Sequence, residues 1–235
     1  MRKYVLLLIC ITFPLLTATA QESGKFASQR FNWGARIGFA ATGTYVTNAV
    51  IDGHKLTDYT QDTQVGNFAA LLVRLNSHKL LFQSGIGISF NKSSFSIDKN
   101  SWDPQAVSRN EMTVSYSMLS LTVPVQFGYH LVNRAPYCMS VFTGPRLRFT
   151  PDMYFSSKLL NLDPYQFTES PSKFIVGWTA GLSVQIGRTF LDFEYEATIN
   201  NVTGKMIETS GATPAPDYKL DRRVGIISFS YGIMF

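Results

Sequence analysis

From Phe174 to Ile186 every second residue is apolar: Phe174, Val176, Trp178, Ala180, Leu182, Val184 and Ile186. Between them stand Ile175, Gly177, Thr179, Gly181, Ser183 and Gln185. After Gly187-Arg188 the parity reverses: Leu191, Phe193, Tyr195, Ala197 and Ile199 carry the apolar face, and Asp192, Glu194, Glu196 and Thr198 the polar one. A period of two marks a strand whose two faces meet different surroundings, and the tight break marks a hairpin. Each strand has about a dozen residues, more than the five or six of an ordinary globular strand and enough to cross a bilayer at a tilt. A soluble sandwich would turn Lys, Glu and Thr outward. Here the less apolar face of the first strand is mostly Gly, Ser and Thr, which fits a cramped interior, while the other is wide and aromatic, which fits lipid. The hairpin therefore predicts part of a transmembrane β-barrel, the closed sheet that pairs every backbone group inside hydrocarbon.

The alternation recurs along the chain. Strand one sets Phe31, Trp33, Ala35, Ile37 and Phe39 against Asn32, Gly34, Arg36 and Gly38. Strand two covers 65–75 with Arg74 inward, and Phe68 and Leu72 interrupt the polarity of its inner face. Strand three sets Leu80, Phe82, Ile86, Ile88 and Phe90 against Gln83, Gly85, Gly87 and Ser89. Strand four sets Leu119, Leu121, Val123, Val125, Phe127 and Tyr129 against Ser120, Thr122, Pro124, Gln126 and Gly128. Pro124 removes a ladder donor, so a bulge is expected there. Strand five, 136–149, turns Tyr137, Met139, Val141, Leu147 and Phe149 outward and Ser140, Gly144, Arg146 and Arg148 inward. The hairpin supplies strands six and seven. Strand eight sets Ile227, Phe229, Tyr231, Ile233 and Phe235 against Ser228, Ser230 and Gly232.

The connections alternate in length. Polar loops are expected over 42–64, 91–113, 150–173 and 201–221, and short turns over 76–79, 131–135 and 187–188. Outer-membrane barrels have an even strand count, short periplasmic turns and long extracellular loops. The expected fold is thus all-β, an eight-stranded antiparallel up-and-down transmembrane β-barrel over residues 31–235. A soluble lipocalin-like barrel would reverse the two faces. Trp33, Tyr129, Tyr137 and Phe235 fall at the predicted periplasmic strand ends, where an aromatic girdle belongs.

Arg2 and Lys3, the apolar stretch 4–16 and Ala18-Thr19-Ala20 make a secretory signal peptide over residues 1–20, followed by a periplasmic lead-in over 21–30. Cys10 follows bulky Ile9, which is unlike a lipoprotein processing site. Export leaves Cys138 as the one cysteine of the mature chain, so no internal disulfide can form. Charged residues are only 16% of the 235, against roughly 25% in soluble domains. The net charge of +5 is not gathered into a basic stripe interleaved with aromatics, so nucleic acid is not an expected partner. The expected location is the cell outer membrane, with its lipid as surroundings.

With this leader and eight-strand spacing, the stretch Leu121-Thr122-Val123-Pro124-Val125-Gln126-Phe127-Gly128-Tyr129 resembles the PorT-like outer membrane β-barrel proteins of Bacteroidetes. Their fourth strand carries an aliphatic-Pro-aliphatic segment, followed by a short turn and a strand with a Gly-Pro or Gly-Gly kink, here Gly144-Pro145. The resemblance spans essentially the mature chain. The family's namesake takes part in type IX secretion and gliding, so the resemblance implies, as a second reading, an accessory part in a secretion or surface-assembly apparatus. Tyr231, Ile233 and Phe235 resemble the aromatic ending read by the barrel-assembly machinery during insertion, with Ser230 at the expected glycine position.

An eight-stranded barrel is just wide enough for its own side chains, so a diffusion pore is not expected. The predicted interior gathers Arg36, Arg74, Arg146 and Arg148 with Asp192, Glu194 and Glu196, beside Gln83, Gln126 and Gln185. These predict a nearly neutral network that plugs the lumen. An ion path or a carboxylate catalytic cluster is the sharper alternative, since the three acids repeat about 7 Å apart on one strand face.

Lipid-modifying enzymes built on small barrels need a His with Ser, Asp or Glu near the outer rim. His78 and His130 fall at the periplasmic side, leaving His54 with Asp52 or Asp58 as the candidate pair. The scattered His and the lack of a Cys pair argue against a metal. No cofactor is expected, because the glycines alternate along strands instead of forming a phosphate cradle. Tyr45, Tyr59, Trp102, Tyr154 and Tyr165 in the long loops are the recognition candidates, because exposed aromatics among polar neighbours favour interfaces; the alternative for some of them is the outer interfacial belt. The expected activity is non-enzymatic: a structural role, or binding of a protein or glycan at the extracellular loops.

Overall fold

A computed structural model describes residues 30–51, 54–55, 59–98, 111–151, 155–160, 167–208 and 218–235. The leader and most of the lead-in lie outside them. Eight long strands make the wall: β1 (Phe31–Ile51), β2 (Gln64–Ser77), β3 (Leu80–Asp98), β4 (Glu111–Arg134), β5 (Tyr137–Phe149), β6 (Phe174–Ile186), β7 (Thr189–Thr198) and β8 (Tyr218–Met234). Each pairs antiparallel with its sequence neighbour. β8 then pairs with β1 from Gly34↔Met234 to Ile51↔Tyr218, so the sheet closes without an edge.

The alternation expected for the wall is the alternation found. On β6, Phe174, Trp178, Val184 and Ile186 are exposed and Ile175, Thr179, Ser183 and Gln185 are buried. On β7, Leu191, Phe193 and Tyr195 face out and Asp192, Glu194 and Glu196 face in. Polar atoms on the apolar wall are satisfied locally. The Trp178 indole donates to Thr143 Oγ1 at 2.8 Å, and Thr143 in turn donates to the Thr179 carbonyl. Trp33 and Phe235 stack at 4.7 Å where the first and last strands meet, and with exposed Tyr129 and Tyr137 they mark one rim. The short turns at His78-Lys79, Ala135-Pro136 and Gly187-Arg188 lie at that end. His78 and Gly187 take the positive φ that tight turns require, 49° and 62°.

Two expectations need correction. Where they are described, the segments read as polar loops are largely strand. β1 runs to Ile51, β3 to Asp98, β4 begins at Glu111, and shorter strands occupy His54–Lys55, Tyr59–Asp62, Phe155–Leu160, Phe167–Pro171 and Thr203–Glu208. Polar, Ser- and Thr-rich sequence removes the contrast between the two faces, although the backbone ladder continues and inward residues such as Thr42, Thr44 and Ser94 stay buried. The bulge expected at Pro124 is also elsewhere. Pro124↔Arg146 and Phe127↔Thr143 share one register, and the shift falls between His130 and Val132. The β3–β4 ladder is interrupted opposite Pro124, which accommodates the missing donor without a register shift, and the Pro124 carbonyl there accepts the Ser84 hydroxyl at 2.9 Å.

The lumen is filled in layers. Leu72, Phe190 and Met234 pack near the short-turn end, and Ala40, Met118, Ile175, Val202, Val224 and Ile226 pack toward the long-strand end. The charged side chains lie between. A wall this apolar is stable only against hydrocarbon, which leads to a first prediction. Phe193, level with Phe229 and Leu182 on its neighbours, stands about midway up the apolar face. Phe193→Arg should destabilise the barrel by about 2–4 kcal/mol in bilayers, as an arginine at the midplane does. Phe193→Leu should change little, and equal urea midpoints for the two variants would refute the lipid assignment.

Candidate functional site

β7 is the axis of the charged layer. Asp192, Glu194 and Glu196 occupy alternate positions of one strand, so all three point into the barrel. The arginines that meet them come mainly from strands two places away. Arg36 reaches from β1 across β8, whose inward residues there, Ser228, Ser230 and Gly232, are small. Arg146 and Arg148 reach from β5 across β6, where Gly177 leaves room: a Cβ on it would lie 2.9 Å from Glu196 Oε1. The small residues of the intervening strands let long cations cross them.

The result is a single chain of alternating charge. Arg74 lies 4.0 Å from Asp192, which accepts from Arg36 at 3.0 Å. Arg36 also pairs with Glu194, which pairs with Arg146. Arg146 donates to Glu196 at 2.9 Å, and Arg148 donates to the same carboxylate at 3.0 Å. Both ends are cations, and both are held by neutral groups. Arg74 donates to Gln83 Oε1 at 2.9 and 2.6 Å and to Gln185 Oε1 at 3.1 Å, with Phe190 beneath its guanidinium. Arg148 donates to Ser89 Oγ at 2.7 Å. Gln83 donates to Gln126, and Gln126 to Thr179, which carries the network across the lumen. The structure thus brings all seven predicted lumen residues together. Buried pairs of this kind are stable when each charge keeps its partners.

Two interior groups were not among the lumen residues expected. Arg222 is buried, with its guanidinium 4.4 Å above the Tyr116 ring, and Tyr116 shares a hydrogen with Thr44 at 2.8 Å. Counting the alternation back from Ile227 puts Arg222 inward, but Val224 and Ile226 share that face and mask the signal. At the opposite end, His130 Nδ1 sits 2.7 Å from Ser140 Oγ and 3.2 Å from the Cys138 thiol, all three buried. Among the described residues, no group of three or more His, Cys, Asp or Glu is placed to hold a metal ion.

The recognition candidates fare differently. Tyr45 is on β1, not in a loop. Its side chain is half exposed on the outer wall and lies over Gly225, hydrogen-bonded to Tyr195. That is the geometry of an interfacial belt. Tyr59 begins a short strand whose residues pair with 94–97 of β3. Trp102, Tyr154 and Tyr165 lie outside the described residues. His54 lies on a two-residue strand paired with β1, and its candidate partners Asp52 and Asp58 are likewise outside.

A closed, eight-stranded antiparallel barrel with an apolar wall and a charge-filled lumen defines an outer-membrane type of barrel. The chain belongs to the outer membrane protein beta-barrel domain family, whose model matches residues 19–204. Its fold resembles that of OprG from Pseudomonas aeruginosa, with TM-score 0.50 and 10% identity over 87% of this chain and 95% of that one. Neisserial surface protein A matches with TM-score 0.43 and 12% identity over 86% and 97%. Ail of Yersinia pestis matches with TM-score 0.35 and 12% identity over 88% and 100%. No curated protein matches the chain. The family places the chain in the outer membrane.

Proposed function

We propose that the protein is a non-enzymatic barrel that binds a protein or glycan at the cell surface and conducts no solutes. What carries this reading is the length of the wall. β4 has 24 residues, roughly 80 Å of strand and roughly 55 Å of height at a 45° tilt, against an apolar band of about 25 Å. The excess stands above the outer leaflet as paired sheet. β3 and β4 stay in register from Phe90↔Leu119 to Asp98↔Glu111, and Phe155–Leu160 pairs with the other edge of β4 at the same level, from Met118↔Phe155 to Thr113↔Leu160. Phe167–Pro171 pairs with Thr203–Glu208 in a further two-stranded sheet. Rigid β-structure held clear of the membrane costs less to order on binding than free loops do. The layered lumen beneath it supports a plug, not a path.

The test replaces 152–172 and 203–217 by short turns and compares the two proteins by cross-linking in their own membrane. The shortened barrel should still show heat-modifiable mobility, and it should lose the surface partners of the full chain. Retention of every partner by the shortened barrel would sink the proposal.

The accessory role in secretion remains the second reading. It rests on the resemblance around Pro124 and Gly144-Pro145, residues that here shape the wall. Co-purification of secretion components would put it first. A lipid-modifying activity ranks third, and its loss in His54→Ala would put it ahead of both.

A further inference from the structure

We propose that the lumen binds one small monovalent anion of halide size at the Arg148 end of the charge chain. This is independent of what the cell-surface end binds. Three observations converge on it. The first is charge. The chain of seven residues alternates four cations with three anions and terminates in a cation at each end. One positive charge is therefore left over in a buried layer, and an uncompensated buried charge is costly.

The second is the unequal treatment of the two ends. Arg74 has Gln83, Gln185, Ser183 and the Phe190 ring around its guanidinium. Among the described residues, Arg148 donates only to the Ser89 hydroxyl besides Glu196. The third is space. A cavity of about 30 Å³ lies against Arg36, Arg146, Arg148, Asn91, Thr122 and Ser228. It is large enough for one water-sized guest and too small for phosphate or a carboxylic acid. The Nε–H groups of Arg36, Arg146 and Arg148 are buried without hydrogen-bond partners, and each belongs to a residue that lines this cavity. Glu196 also lines it, but its two oxygens are taken by Arg146 and Arg148. A halide here would end the chain on an anion and bring its charge to zero.

The test uses the full folded protein. Urea unfolding in detergent is followed at constant ionic strength while gluconate, too large for the cavity, is exchanged for chloride. A ligand that binds only the folded form should lower the unfolding equilibrium constant about tenfold at ten times its dissociation constant. Arg148→Gln leaves three cations against three anions, so its unfolding should not depend on chloride. Crystals grown in bromide give a second measurement on the unaltered protein, whether or not that variant folds. An anomalous peak beside Arg148 is expected. Unfolding that is the same in chloride and gluconate, together with only water beside Arg148, would overturn the proposal.

Discussion

Glu194→Ala should lower the free energy of unfolding by about 3–5 kcal/mol, the penalty for stripping a buried pair of one partner. Glu194 is the middle link of the charge chain and, among the described residues, the only carboxylate shared by Arg36 and Arg146. Its loss divides the chain. Arg36 keeps Asp192 and Arg146 keeps Glu196, but two guanidinium groups then face a gap they cannot leave. The measurement is urea unfolding of the refolded barrel, read from the mobility of the compact form on unheated gels. Adding Arg36→Met should recover part of the loss, because residues in one network do not contribute additively. A loss below about 1 kcal/mol would mean that the lumen is wet enough to screen these charges.

The second large effect is expected at Gly144. A Cβ built there lies 2.1 Å from the Val125 carbonyl oxygen and 2.9 Å from the Gln126 Cα, both backbone atoms of β4. Its φ of 157° is also one that side chains rarely adopt. Strand separation in a ladder is set by hydrogen-bond length, so β4 cannot retreat without breaking pairs on both sides. Gly144→Val should therefore abolish the heat-modifiable form. Gly43→Ala is the control: its nearest neighbours would be 3.9 and 4.0 Å away, and it should fold normally. Equal behaviour of the two variants would show that β4 and β5 are held less tightly than their register implies.

The wall was legible in the sequence because lipid and lumen impose opposite demands on adjacent residues. Phe174 to Ile199 shows this with little noise, and eight strands followed from repeating the count. The strand ends above the membrane were not legible. Around Thr42–Thr44 or Ser93–Ser96 both faces are polar or nearly so, and a two-residue period without contrast carries no signal. The lumen residues followed from parity alone, as Arg36 and Glu194 did. Their pairing did not, because Arg36 and Glu194 meet across β8, and that depends on how the closed sheet is staggered. Tyr45 was misplaced for a related reason. It read as a loop aromatic until its partner Tyr195 and the space over Gly225 put it on the wall.

The charge chain also bears on how such a barrel enters a membrane. Arg36 stands on the first strand, and its partners Asp192 and Glu194 lie 156 and 158 residues later, on the far side of the last strand. Until β1 meets β8, Arg36 and Asp192 lack every charged partner and Glu194 has Arg146 alone, so these groups must stay in water. An unsealed sheet sliding into hydrocarbon would carry these ions with it at great cost. Sealing the seam and leaving the aqueous phase must then happen together, which makes the first-to-last strand junction the committing step of this protein's biogenesis.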